Sequence, residues 1–119
     1  MSAPGVTLLL TTAPSAEAAE EIARPLVERG LAACVSIVPG LRSLFVWKGN
    51  VEDEAEVLLL VKTAADVEVV REAIRGLHPY EVPEMLAFPA AWADEAYARW
   101  VAEATSGGRK PPEPGPGDA

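Results

Sequence analysis

The stretch Leu77-His78-Pro79-Tyr80-Glu81-Val82-Pro83-Glu84 (residues 77–84) fixes where the last helix-to-strand junction of the main fold falls. Each proline fixes its own φ angle and disfavours helical geometry in the residue before it. A helix is therefore predicted to end at His78, and an extended segment to begin at Tyr80. The stretch also holds the only histidine of the chain. Groups that can bind a cation or move a proton are thus placed on stiff backbone.

The segments on both sides of this junction alternate between strand and helix patterns. Apolar, β-favouring runs predict strands at residues 6–11, 31–38, 51–63 and 81–89, and the chain is expected to continue extended after the second run, over residues 42–47. Pro39-Gly40 is expected to end the second run, and Lys48-Gly49-Asn50 to turn a hairpin. Helical spacing predicts helices from Ser15 to Gly30, at residues 65–77 and at residues 94–105. The order predicts an α+β fold of the ferredoxin-like type, β-α-β-β-α-β, with an antiparallel sheet, helices on one face and an extra C-terminal helix.

Composition limits the class of protein. The 119 residues, half of them hydrophobic, suit one domain over residues 1–105, followed by a flexible tail at 106–119 that is rich in Gly and Pro. No apolar run is long enough to span a bilayer, and the start shows no secretory signal. One cysteine fits a reducing compartment, so a cytoplasmic protein is expected. Ten basic residues among eighteen acidic ones, with a net charge of −8, argue against a nucleic-acid partner.

His78 and Cys34 are the two side chains most suited to transition-metal chemistry. The imidazole of His78 is a common ligand, although a histidine at this position could equally cap the C-terminus of the helix. Cys34 would be a soft ligand for Cu(I) as a thiolate, or a small apolar side chain if buried. The two could form a nucleophile–base pair only if the fold brought them together. No known catalytic motif is present, and we expect the protein not to be an enzyme.

Carboxylates supply the other candidate ligands. Glu81 and Glu84 are predicted to point to opposite faces of an extended segment. Glu81 is the expected partner of Lys62, which ends an apolar strand. A further row alternates on one strand face: Glu52, Glu54 and Glu56. Such a row could hold Ca²⁺ or Mg²⁺, but it more often forms a solvated face that discourages edge pairing.

Four segments together closely resemble the CutA family, the divalent-cation tolerance proteins. They are LAACVSIVPG (31–40), SLFVWKG (43–49), EVLLLVKT (56–63) and HPYEVPE (78–84), and the resemblance covers residues 6–104. It implies a homotrimer with strands paired across subunits, which would cover apolar strand edges and bury Trp47. It also implies binding of divalent cations, copper in particular, linked to metal tolerance, and no defined catalytic reaction.

The resemblance further implies a site in a cleft between subunits. The expected metal ligands are His78, Cys34, Glu81 and Glu84, with His78 as the primary one. The expected cleft residues are Trp47, Lys62 and Tyr80. Some family members place two adjacent histidines and a further cysteine at such a site, whereas Leu77 precedes His78 here and the chain has no second cysteine. An alternative is a trimeric signalling or scaffold module in which Lys62 helps to bind a small anion or a partner protein, and metal binding is incidental.

Overall fold

The computed structural model describes residues 5–106, which form a four-stranded antiparallel sheet and three helices. In chain order the elements are β1 (Thr7–Ala13), α1 (Ala16–Glu28), β2 (Cys34–Trp47), β3 (Asn50–Thr63), α2 (Val67–Leu77), β4 (Met85–Pro89) and α3 (Glu95–Ala104). The strands lie in the order β2-β3-β1-β4. The predicted β-α-β-β-α-β order with an extra helix is therefore confirmed. The predicted tail lies, from residue 107 onward, outside the described residues.

The helices begin where short polar side chains cap them. The Ser15 hydroxyl accepts a hydrogen bond from the Ala18 amide at 3.1 Å, and Asp66 and Asp94 cap α2 and α3 in the same manner. One apolar cluster joins α1 and α2 to the sheet, and its largest fully buried members are Leu9, Ile22, Leu26, Leu59, Val61, Val70 and Ile74. A smaller cluster joins α3 to Val6 and Ala33. Within residues 5–106, no helix has the length and apolar character needed to cross a membrane.

The second strand is longer than predicted, because Pro39-Gly40 does not end it. β2 continues through this dipeptide with a register shift against β3 between Val38 and Leu41. Gly40 has a φ of 87°, which glycine adopts without a Cβ penalty. The irregularity is a bulge that bends the strand without ending its pairing.

Past this bulge, β2 and β3 leave the rest of the sheet. β1 ends its pairing at Ala13 opposite Val57, whereas residues 41–47 and 50–56 pair only with each other. We call this two-stranded projection, residues 41–56, the hairpin arm. Seven residues of strand span about 23 Å, so the arm extends well beyond the main sheet.

One face of the sheet is turned away from α1 and α2. Side chains alternate along a strand, so the residues between the buried core positions point to the opposite side. We call this surface the open face; its apolar members are Leu8, Leu10, Val38, Leu58, Leu60, Leu86 and Phe88. Leu86 is 51% exposed and Phe88 is 47% exposed. A monomer would leave an apolar patch in water here.

Candidate functional site

A cavity of about 640 Å³ lies where the hairpin arm meets the segment between α2 and β4. The arm contributes Ser43, Leu44, Phe45, Trp47, Glu52, Glu54 and Glu56; the segment contributes Tyr80, Glu81, Val82 and Glu84; and β1 contributes Thr12. Strand pairing in the arm sets Phe45 opposite Glu52. The three glutamates of β3 are spaced two residues apart, so they point to the same face of the arm as Phe45. Aromatic and acidic side chains thus share one wall.

The cavity is strongly acidic. Five glutamates line it, and its lining includes no lysine or arginine. A concave surface with charges of one sign focuses the field and raises the local concentration of counter-ions. Carboxylate oxygens are the donors that hard divalent cations prefer. The arrangement can therefore attract cations.

Tyr80 and Glu56 form the best-defined polar contact of the cavity. The Tyr80 hydroxyl donates to Oε2 of Glu56 at 2.7 Å, and Glu56 is only 8% exposed. Burial, followed by the hydrogen bond and the charge of Glu56, raises the pKa of Tyr80 to about 12. Tyr80 is therefore a neutral hydrogen-bond donor over the physiological pH range.

His78 lies behind the cavity wall and has partners on both ring nitrogens. It is 9% exposed and follows the last residue of α2, where its amide bonds to the Ile74 carbonyl. Its Nε2 lies 2.6 Å from the Thr12 carbonyl oxygen, and its Nδ1 accepts from the Tyr80 amide at 3.1 Å. Direct coordination of a metal would require one of these bonds to break, and the role of His78 as a ligand stays a prediction.

Glu81 and Glu84 line the same cavity, so the expectation that they point to opposite faces is wrong. The reason is that residues 79–82 form a bend, and the strand predicted from residue 81 begins only at Met85. A period of two applies to extended strands and not to a segment that starts in a bend.

Cys34 and Lys62 lie elsewhere in a single chain. They face each other across β2 and β3, at the level of Leu8 in β1, whereas the cavity lies beyond Thr12. Four residues of strand separate the two levels by about 13 Å. Lys62 Nζ donates to the Ser36 hydroxyl at 2.5 Å. The expected Lys62–Glu81 pair does not form within the chain, because Glu81 lies at the cavity, on the far side of this separation. Cys34 is half-buried and lies near Tyr97, whose pKa is raised by burial and, to a smaller extent, by electrostatic interaction with Cys34.

The described part of one chain does not assemble a coordination shell. Among residues 5–106, no three His, Cys, Asp or Glu side chains are grouped closely enough to hold a metal ion. The five carboxylates face a shared space without converging. Their chemistry suits a divalent cation, but the geometry of one chain supplies only part of a site.

Sequence reasoning gave Trp47, Tyr80, Glu81 and Glu84 as site residues, and all four line the cavity. It favoured a solvated face over a cation site for the row that contains Glu56. Alternation along β3 was the signal that these glutamates share a face. Nothing in the sequence indicated that the segment after α2 folds back over that face.

Comparison with known sequences places the chain in a family. The family described as "CutA1 divalent ion tolerance protein" matches residues 7–104. The "Divalent-cation tolerance protein CutA" of Thermus thermophilus is 48% identical over 99 residues, which cover 82% of this chain and 96% of that protein. The "Protein CutA" of Mus musculus is 41% identical over 104 residues, which cover 86% of this chain but only 59% of the mouse protein.

Solved structures of similar proteins share the fold. The divalent cation tolerance protein from Thermus thermophilus superimposes with a TM-score of 0.80 at 46% identity, over 85% of this chain and 99% of that one. The CutA1 protein of Ehrlichia chaffeensis gives a TM-score of 0.83 at 30% identity, over 88% and 99% of the two chains. From the sequence match over nearly the whole described region and from the shared fold, this chain belongs to the CutA1 divalent ion tolerance family.

Proposed function

We propose that this protein binds divalent cations, copper among them, as a homotrimer, and that this binding underlies a role in metal tolerance. The observation that carries the proposal is the acidic cavity between the hairpin arm and residues 80–84. Its five carboxylates and its lack of basic lining residues favour cations over anions.

The homotrimer is supported by two apolar surfaces of the single chain. The open face carries Leu86 and Phe88 half-exposed, and the hairpin arm carries Leu44, Val46 and Val51 at 63%, 68% and 75% exposure. An isolated two-stranded hairpin is at best marginally stable in water. We propose that other subunits pack against both surfaces, and closure of the subunits into a ring would bury both of them.

Assembly would also complete the cation site. The carboxylates of one chain do not supply enough ligands for a divalent cation. We propose that donor groups of a neighbouring subunit supply the missing ligands. Cys34 stays a proposed copper ligand, because a thiolate suits copper better than carboxylates do. Ligation by His78, as predicted from the sequence, would require one of its two ring hydrogen bonds to break. The hard carboxylates of the cavity would accept several divalent ions with modest selectivity.

A catalytic role for Cys34 and His78 acting together is disfavoured by the register. Cys34 lies at the level of Leu8, whereas His78 bonds to Thr12, two strands away from β2. A nucleophile and its base need to be within hydrogen-bond reach. We therefore propose a non-catalytic protein, and cytoplasmic localisation stays a prediction.

The proposal is tested by native mass spectrometry and calorimetry on chelator-stripped protein titrated with Cu²⁺, Zn²⁺ and Mg²⁺. A trimer with saturable uptake is expected. Unit charges 4 Å apart interact by about 1 kcal/mol in water and about 4 kcal/mol near a protein surface. Because about 1.4 kcal/mol corresponds to a factor of ten in affinity, the double variant Glu52→Gln with Glu54→Gln should bind cations at least about tenfold more weakly.

The matched control removes two exposed carboxylates outside the cavity, through Glu21→Gln with Glu103→Gln, and should leave the affinity unchanged. Equal losses in both double variants would show that only net charge matters. A trimer without saturable uptake would reject the cation-binding function. Binding of small anions that is abolished by Lys62→Met would instead favour the anion-binding module.

A further inference from the structure

We infer that His78 is a positioning residue, a neutral Nε2–H imidazole that ties the segment after α2 to β1 so that Tyr80 holds the Glu56 carboxylate in the cavity wall. The inference deepens the proposed function, and its affinity test rests on that function. It assigns to His78 a role that requires no contact with the cation.

The two partners of the ring fix its tautomer. The Thr12 carbonyl can only accept a hydrogen bond, so the Nε2 that lies 2.6 Å from it must carry the proton. The Tyr80 amide can only donate, so the Nδ1 that it reaches at 3.1 Å must offer its lone pair. Only the neutral Nε2–H form satisfies both contacts. Neither nitrogen then has a free lone pair for a metal.

The contact with Thr12 replaces a missing strand partner. The Val6 carbonyl accepts from the Ala90 amide, so alternate residues of β1 turn their main-chain groups toward β4. The pairing of β1 with β4 ends at Thr11 opposite Met85. Thr12 therefore presents a carbonyl beyond the end of β4, and the imidazole of His78 takes the place of the next strand amide.

The contact with Tyr80 sets the turn that carries the phenol to Glu56. A side-chain acceptor on one residue and the amide two residues later is the pattern of an Asx-type turn. The rings of His78 and Tyr80 also lie 4.9 Å apart between centroids, at an angle of 43°. These contacts aim the hydroxyl of Tyr80 at Oε2 of Glu56. Without them, the buried carboxylate would lose its donor.

The first test is nitrogen NMR of the wild-type protein. Because the chain has a single histidine, its two ring nitrogens are assigned without ambiguity. We expect Nδ1 to be unprotonated and Nε2 protonated, and both signals to keep these positions when the protein is saturated with Zn²⁺. The opposite tautomer, or a ring nitrogen that moves to the shift of a coordinated one, would overturn the inference.

The second test compares His78→Ala with His78→Asn. Asparagine lacks an imidazole but keeps the acceptor for the Tyr80 amide, so it separates positioning from ligation. With Tyr97→Phe in every sample, Tyr80 is the only tyrosine, and its ¹³Cζ signal reports the bond to Glu56. His78→Ala should move this signal to that of free tyrosine, and His78→Asn, which keeps the acceptor for the Tyr80 amide but loses the bond to Thr12, should move it by less. An unmoved signal in His78→Ala would overturn the inference.

The affinity for Zn²⁺ gives the functional result. Loss of a residue that orients a metal ligand typically costs about 10- to 100-fold in affinity, so His78→Ala should fall in that range. His78→Asn, which loses only the bond to Thr12, should lose less affinity than His78→Ala. Equal losses in both folded variants would make His78 a ligand. If wild type takes up no Zn²⁺, the proposed function fails, and the two NMR experiments still decide the positioning role. If His78→Ala does not fold, the tautomer measured in the wild type and the results for His78→Asn decide whether His78 is a positioning residue.

Discussion

Replacing Tyr80 by phenylalanine removes one hydroxyl and leaves a buried carboxylate without its donor. The bond to Glu56 is 2.7 Å long, and Glu56 is 8% exposed. Hydrogen bonds to charged groups contribute about 1.5–3 kcal/mol, and phenylalanine recovers part of the loss because it no longer buries a hydroxyl. We expect the free energy of unfolding to fall by about 2 kcal/mol, which is about 10 °C in melting temperature for a cooperative unit of this size.

The assay is urea unfolding followed by circular dichroism at one fixed protomer concentration, because association makes the apparent stability concentration-dependent. Tyr97→Phe is the matched control, since the Tyr97 hydroxyl has no hydrogen bond among the contacts of residues 5–106. Glu56→Gln keeps an acceptor for Tyr80 but removes the charge. In that background, Tyr80→Phe should cost only about 1 kcal/mol.

Two results would refute this reasoning. If Tyr80→Phe destabilises the protein no more than Tyr97→Phe does, the bond to Glu56 contributes nothing to stability. If the cost is the same with glutamate and glutamine at position 56, the charge of the acceptor is irrelevant. The first result would also remove the reason for positioning Tyr80 through His78.

The remaining predictions concern pH, assembly and a surface ion pair. The pKa of Tyr80 is raised from 10.0 to about 12 in the folded state, so its contribution to stability should be full below pH 10 and lost between about pH 10 and 12. The difference in free energy of unfolding between wild type and Tyr80→Phe, measured in urea, should therefore shrink over this range. A constant difference would contradict the prediction. Phe88→Asp should dissociate the proposed trimer in size-exclusion chromatography with light scattering, whereas Val69→Asp, at a similarly exposed position on α2, should not. Arg42→Ala breaks the 2.6 Å ion pair with Asp53, which is solvent-exposed, and should leave the urea midpoint at the wild-type value.

The order of the elements could be predicted because it depends on local chemistry. Ser15 caps a helix and Gly49 completes the hairpin turn wherever the rest of the chain lies. The bounds of β2 and β4 could not be predicted in the same way. Pro39-Gly40 looks like a strand end, and only pairing with β3 on both sides makes it a bulge. Residues 81–84 look extended, and only the position of β1 fixes where β4 begins.

The candidate site divides along the same line. The sequence by itself determined that Glu52, Glu54 and Glu56 share a strand face, because alternation is a property of the extended backbone. Only the tertiary structure decided that residues 80–84 cover this face, that Cys34 lies away from it, and that His78 reaches Thr12 across 66 positions of sequence. Those contacts depend on how the strands register and how α2 packs on the sheet, which are sums of long-range interactions that no local pattern records.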